Sequence, residues 1–197
     1  MSTSAQAPVA ARTMAEFVDL AGLGDKAKEA LAPAHGPRQY VQILLDRSLH
    51  ADAVRFLAHG LPKREGIWWA WVCARRASGE PPAPKVKAAL DATERWITQP
   101  TDENRRATMK AAESAGLASP AGCTALAAFL SGGSLGPAHT PPVPPGELLT
   151  AKAIAGAVIA SAVSGDAAQA PARFQTFIAQ GLDVVNRLQL WGPNADA

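Results

Sequence analysis

The run KREGIWWAWVCARR over residues 63–76 constrains this chain more than any other, because it places three of the five tryptophans within four positions and keeps charge to its ends. On a helical wheel, Ile67, Trp68, Trp69, Trp71, Val72 and Cys73 leave no polar face. A helix apolar on every side has to be covered by the rest of the protein. The expectation is a buried, central helix, in which truncating Trp68 or Trp71 would cost about 3 to 5 kcal/mol.

The remainder of the chain has the means to bury it. With 197 residues, 48% of them hydrophobic and 18% charged, one sizeable core is within reach. Alanine recurs throughout, whereas aromatic residues make up 6% and β-branched residues are sparse, a balance that suits close-packed helices better than a pleated sheet. The fold class expected is all-α.

Glycine and proline divide the chain into short helical stretches. Thr13 caps a stretch carrying Met14, Phe17, Val18 and Leu20, closed by Gly22 and Gly24; Asp25 opens one that reaches Leu31 and stops at Pro33. Pro37 suits the first turn of a helix over 38–47, burying Tyr40, Val41, Ile43 and Leu44. Ala53, Val54, Phe56 and Leu57 line one stripe of 50–59, which Gly60 and Pro62 separate from the tryptophan helix. A turn over 78–84 precedes a helix over 85–98. Thr101 opens the next, with Asp102 and Glu103 in its first turn, where carboxylates oppose the helix macrodipole. Ser119 and Pro120 start another whose apolar face is Cys123, Leu126, Ala127 and Leu130.

The segment SGGSLGPAHTPPVPPG over 131–146 excludes regular structure and reads as an exposed connection that carries the chain across the bundle surface. Helices over about 147–163 and 171–190 follow it. The short helix pairs predict a compact orthogonal or loosely solenoid-like bundle, with this Gly/Pro-rich loop before the last two helices. Residues 13–191 form a single helical domain, between a disordered lead over 1–12 and a frayed tail over 192–197.

Several function classes find little support. The formal charge of +2 comes from 19 basic and 17 acidic residues scattered along the chain, too even a distribution to steer nucleic acid or an anionic bilayer. No secretory signal is legible, and 148–163 is shorter than a span and contains Lys152. A cytoplasmic protein without membrane insertion is expected. Cys73 and Cys123 lie within apolar helical patterns and read as free, inert thiols.

Candidate chemistry is thin. His50, Asp52 and His59 invite a metal or acid/base reading, with Asp52 and His59 on nearby sides of one helix, yet neither an H-E-x-x-H pattern nor a paired-cysteine motif accompanies them. The glycines of 131–136 lack the lysine and hydroxyl of a phosphate-binding loop, and no nucleophile elbow surrounds Ser131 or Ser134. Pro141, Pro142, Pro144 and Pro145 suit a polyproline II helix of the kind that aromatic grooves recognise, but no basic residue flanks them, and a spacer is the preferred reading. Arg75, Arg76, Lys85 and Lys87 bracket one turn, and Arg105, Arg106 and Lys110 share one helix. Together they form the candidate interaction surface, since arginine suits interfaces.

Two stretches, ADAVRFLAHGLPKREGIWWAWVCAR over 51–75 and PAGCTALAAFLSGGSL over 120–135, resemble an uncharacterised bacterial family, a domain of unknown function. The resemblance runs from about residue 27 to 191. It implies an association with type VI secretion gene clusters and no catalytic residues. The expectation is a non-enzymatic adaptor or protein-interaction module, with a protein partner, no cofactor, no metal and no nucleic acid. The alternatives are a small enzyme using His50, Asp52 and His59, or a weak nucleic-acid binder using dispersed arginines.

Overall fold

The computed structural model describes residues 13–137 and 139–191. The expected lead over 1–12 and the expected tail over 192–197 lie outside the described residues. Ten α-helices account for most of the described residues: α1 (Met14–Leu20), α2 (Asp25–Glu29), α3 (Pro37–Asp46), α4 (His50–Gly60), α5 (Lys63–Ala77), α6 (Pro84–Thr98), α7 (Asp102–Ala115), α8 (Pro120–Phe129), α9 (Leu149–Val163) and α10 (Ala170–Arg187). A 3-10 turn, Ala167–Gln169, leads into α10, and the described residues contain no strand. The fold is all-α, as composition predicts.

Local chemistry explains where the helices begin. Thr13 and Glu16 form a reciprocal capping box at α1, Thr101 accepts from the Asn104 amide at α7, and Ser119 accepts from the Gly122 amide at α8. Pro37, Pro84 and Pro120 occupy first turns, where a missing N–H costs nothing.

Packing is organised around α9, which touches α4, α5, α8 and α10. Its buried residues, among them Ala151, Ile154, Ala155, Val158 and Ala162, run round the helix. Small side chains let four neighbours approach one axis. This late element sits against early ones, so the bundle is not a solenoid, in which each unit would touch only its sequence neighbours. No single helix among the described residues is long and apolar enough to cross a membrane.

The tryptophan helix α5 rests on α6, α8, α9 and α10. Trp69 is fully buried, its indole N–H donating to the Phe177 carbonyl at 2.8 Å. Gly181 of α10 makes room for this ring: a Cβ there would lie 3.0 Å from it, which explains a glycine inside a helix that it otherwise weakens. The expectation that α5 is covered on every side needs correction, because Trp68 is 40% exposed and Trp71 only half-buried. An apolar wheel records composition, whereas coverage depends on how many neighbours fit, and one strip of α5 remains in solvent.

The α8–α9 connection also differs from the spacer expected of it. The Thr150 hydroxyl, in the first turn of α9, donates to the Leu130 carbonyl just after α8 at 2.7 Å. The two ends of the loop therefore touch, and the intervening residues leave the bundle and return to the same place, as an Ω-type loop does.

Candidate interaction surface

The exposed strip of α5 is built from Arg64, Trp68, Trp71, Arg75 and Arg76. The spacing of 64, 68, 71 and 75 keeps these residues on one side of a helix. Bonds to α6 hold two of them: the Arg64 Nε–H donates to the Ile97 carbonyl at 2.7 Å, and the Trp71 indole donates to the Leu90 carbonyl at 3.0 Å. The Arg75 guanidinium lies over the Trp71 ring, 5.3 Å from its centroid. Aromatic and guanidinium planes are thus fixed beside the exposed Trp68 indole.

The other residues of the expected basic surface fare differently. Lys85 and Lys87 are exposed at the start of α6, where Lys87 pairs with Asp91 at 2.6 Å. Lys110 is exposed on α7. Arg105 does not belong to the surface at all, being 4% exposed. Its Nε and Nη2 donate to one oxygen of Asp102 at 2.9 and 2.7 Å, Nη1 donates to the Phe129 carbonyl at 2.7 Å, and Nη2 also reaches the Ser134 carbonyl at 2.9 Å. Arg106 is half-buried, bonding the second Asp102 oxygen at 2.7 Å and the Gly136 carbonyl at 2.8 Å. The physical reason is local: the α8–α9 loop presents backbone carbonyls without helical partners, and these two fork-shaped donors satisfy them.

The clamp shapes its loop closely. Gly133 has φ +65°, and a Cβ there would sit 2.8 Å from the Arg105 guanidinium. Lys63 at the start of α5 donates to the Ser131 carbonyl at 3.0 Å, tying the loop to a third helix. Asp102 is the residue that sequence reasoning passed over as a mere first-turn acid, although its spacing of three and four from Arg105 and Arg106 announces the pairing. Hydrogen bonds from Arg106 and Arg105 hold its carboxyl below the usual carboxylate range.

The structure does not assemble His50, Asp52 and His59 into one centre. The His50 ring stacks on Phe174 of α10 at 5.5 Å between centroids. Asp52 accepts from the Gly24 amide at 3.1 Å and from Arg55 at 2.9 Å, joining α2 to α4. His59 is buried, with Nδ1 2.8 Å from the Arg55 carbonyl. A carbonyl only accepts, so Nδ1 carries the proton, and Nε2 is left buried without a hydrogen-bond partner among the described residues. Burial pushes its pKa down, against the opposing effect of the Arg55 bond, and Lys152 lowers it further. No group of three or more potential metal ligands occurs among the described residues. Both cysteines are free; burial raises the pKa of Cys73 strongly and that of Cys123 to about 11.

No curated protein and no solved structure matches the chain. A family model does match, over residues 40–185, a stretch holding α4 to α9 complete with the exposed strip, the arginine clamp and its loop. The chain belongs to the DUF6931 family, a family of unknown function.

Proposed function

We propose that the protein is a non-enzymatic interaction module that presents the outward strip of α5 to a protein partner, as an adaptor or accessory of a bacterial secretion assembly. The observation that carries the reading is the 40% exposure of Trp68 on a helix whose other faces are buried, with Arg64, Arg75 and Arg76 beside it. Tryptophan and arginine dominate the binding energy of protein interfaces, and the Arg75 guanidinium already seated over the Trp71 ring loses less freedom on docking than an unanchored one. The secretion context rests on the resemblance of residues 51–75 and 120–135. On this reading the protein works without metal, cofactor or nucleic acid.

The test compares the parent chain with Trp68→Ala and Arg75→Ala as immobilised baits in native extract at moderate salt, with mass spectrometry of the captured proteins. Recovery of a secretion-machinery component by the parent, and its loss with Trp68→Ala at unchanged melting temperature, supports the reading. An identical captured set for all three baits overturns it. Recovery of nucleic acid alone favours dispersed arginines as a nucleic-acid site, and stoichiometric zinc with an activity lost in His59→Ala favours an enzyme.

A further inference from the structure

We propose that the tip of the α8–α9 loop, residues 140–145, is a preorganised polyproline ligand for a peptide-recognition domain whose groove is lined by aromatic rings. This surface is separate from the α5 strip. The first argument is that the loop has no distance to cover, since the Thr150 hydroxyl and the Leu130 carbonyl are 2.7 Å apart. A few residues would join α8 to α9; long loops retained in compact domains are commonly binding elements.

The second argument is construction. The Ser134 hydroxyl accepts from the Val143 amide at 3.0 Å and from the Gly136 amide at 3.1 Å, and the Leu135 amide donates to the Val143 carbonyl at 2.8 Å. Arg105 and Arg106 hold the Ser134 and Gly136 carbonyls beneath. The tip therefore stands on a fixed base. Pro141, Pro142, Val143 and Pro144 are exposed nonetheless, Val143 by 54%.

The third argument is the pattern of what is anchored. Among residues 141–145 only Val143 has a backbone N–H, and the loop base bonds both its N–H and its carbonyl. A polyproline II helix turns once every three residues, so Pro141 and Pro144 share one edge, Pro142 and Pro145 the next, and Val143 the third. Anchoring through the Val143 backbone leaves Pro141, Pro142 and Pro144 exposed, with Pro145 half-buried at the end of the second edge. Aromatic grooves read two such proline ridges, and proline carbonyls accept hydrogen bonds from groove donors. Holding the segment in place before binding removes part of the ordering cost.

Charge narrows the partner. Residues 137–146 contain no Lys, Arg, Asp or Glu, so recognition has to come from ring stacking and carbonyl bonding, without an acidic specificity pocket. A groove that reads neutral paired prolines is the matching chemistry.

The experiment titrates the full chain by calorimetry against purified WW, EVH1 and SH3 domains. Saturable binding to a neutral-proline reader is expected. Pro142→Ala with Pro145→Ala should weaken it at least tenfold, and Ser134→Ala several-fold with every proline intact, while Trp68→Ala leaves it unchanged. All variants are checked by thermal melts. No binding by any domain up to about 1 mM, equal binding by the double proline variant, or loss of binding with Trp68→Ala would overturn the proposal; the last would move the site to α5.

Discussion

Replacing Arg105 with alanine should destabilise the fold by about 4 to 4.5 kcal/mol, as much as a large core truncation and far more than a surface arginine warrants. The bonds to the Phe129 and Ser134 carbonyls have a charged donor and are worth about 1.5 kcal/mol each at the lower limit. The Asp102 side chain is 59% exposed, so solvent screens that pair to about 0.5 kcal/mol. The guanidinium also lies 5.0 Å from the Phe129 ring centroid, a contact worth about 0.5 to 1 kcal/mol. Urea unfolding followed by circular dichroism reads the sum. With a slope of about 2 kcal/mol per molar for a domain of this size, the midpoint should fall by about 2 M. Arg106→Ala is the control: its side chain is 29% exposed and bonds one carbonyl, so its cost should be about 1 kcal/mol. Limited proteolysis should cut 131–146 faster in Arg105→Ala than in the parent. An Arg105→Ala midpoint within experimental error of the Arg106→Ala midpoint would refute the clamp.

Other expectations follow from burial. Trp69→Ala should cost about 3 to 5 kcal/mol, whereas Trp68→Ala should cost under about 1 kcal/mol; equal costs in urea unfolding would contradict the orientation of α5. The folded pKa of His59 lies below its ordinary 6.5, so the unfolded chain binds the proton more readily. His59 therefore penalises folding progressively as pH falls below 6.5, and the penalty stops growing below the folded pKa. His59→Gln should flatten stability against pH there, and an unchanged slope would remove His59 as the cause. Cys73 and Cys123 should resist a disulfide reagent at pH 8 in the folded protein and react promptly in urea, because burial raises both thiols and thiolate is the reactive form. Rapid modification of the folded chain would show that the α5 or α8 packing opens readily.

What the sequence determined by itself was everything that depends on near neighbours along the chain. Thr13, Thr101 and Ser119 cap α1, α7 and α8, Pro37 and Pro120 occupy the first turns of α3 and α8, and Gly/Pro spacing marks the connection before α9, so the all-α class and these helix starts were legible. Tertiary structure decided which surfaces are covered. Trp68 and Trp69 are adjacent and chemically identical, but only Trp69 meets Gly181, more than a hundred positions away. Arg105 looks like any helix-surface arginine until the α8–α9 loop returns its carbonyls to α7. That loop resembles a spacer until Thr150 is found against Leu130. Caps and breakers act through bonds spanning three or four residues, whereas burial depends on elements that meet only after the chain has folded.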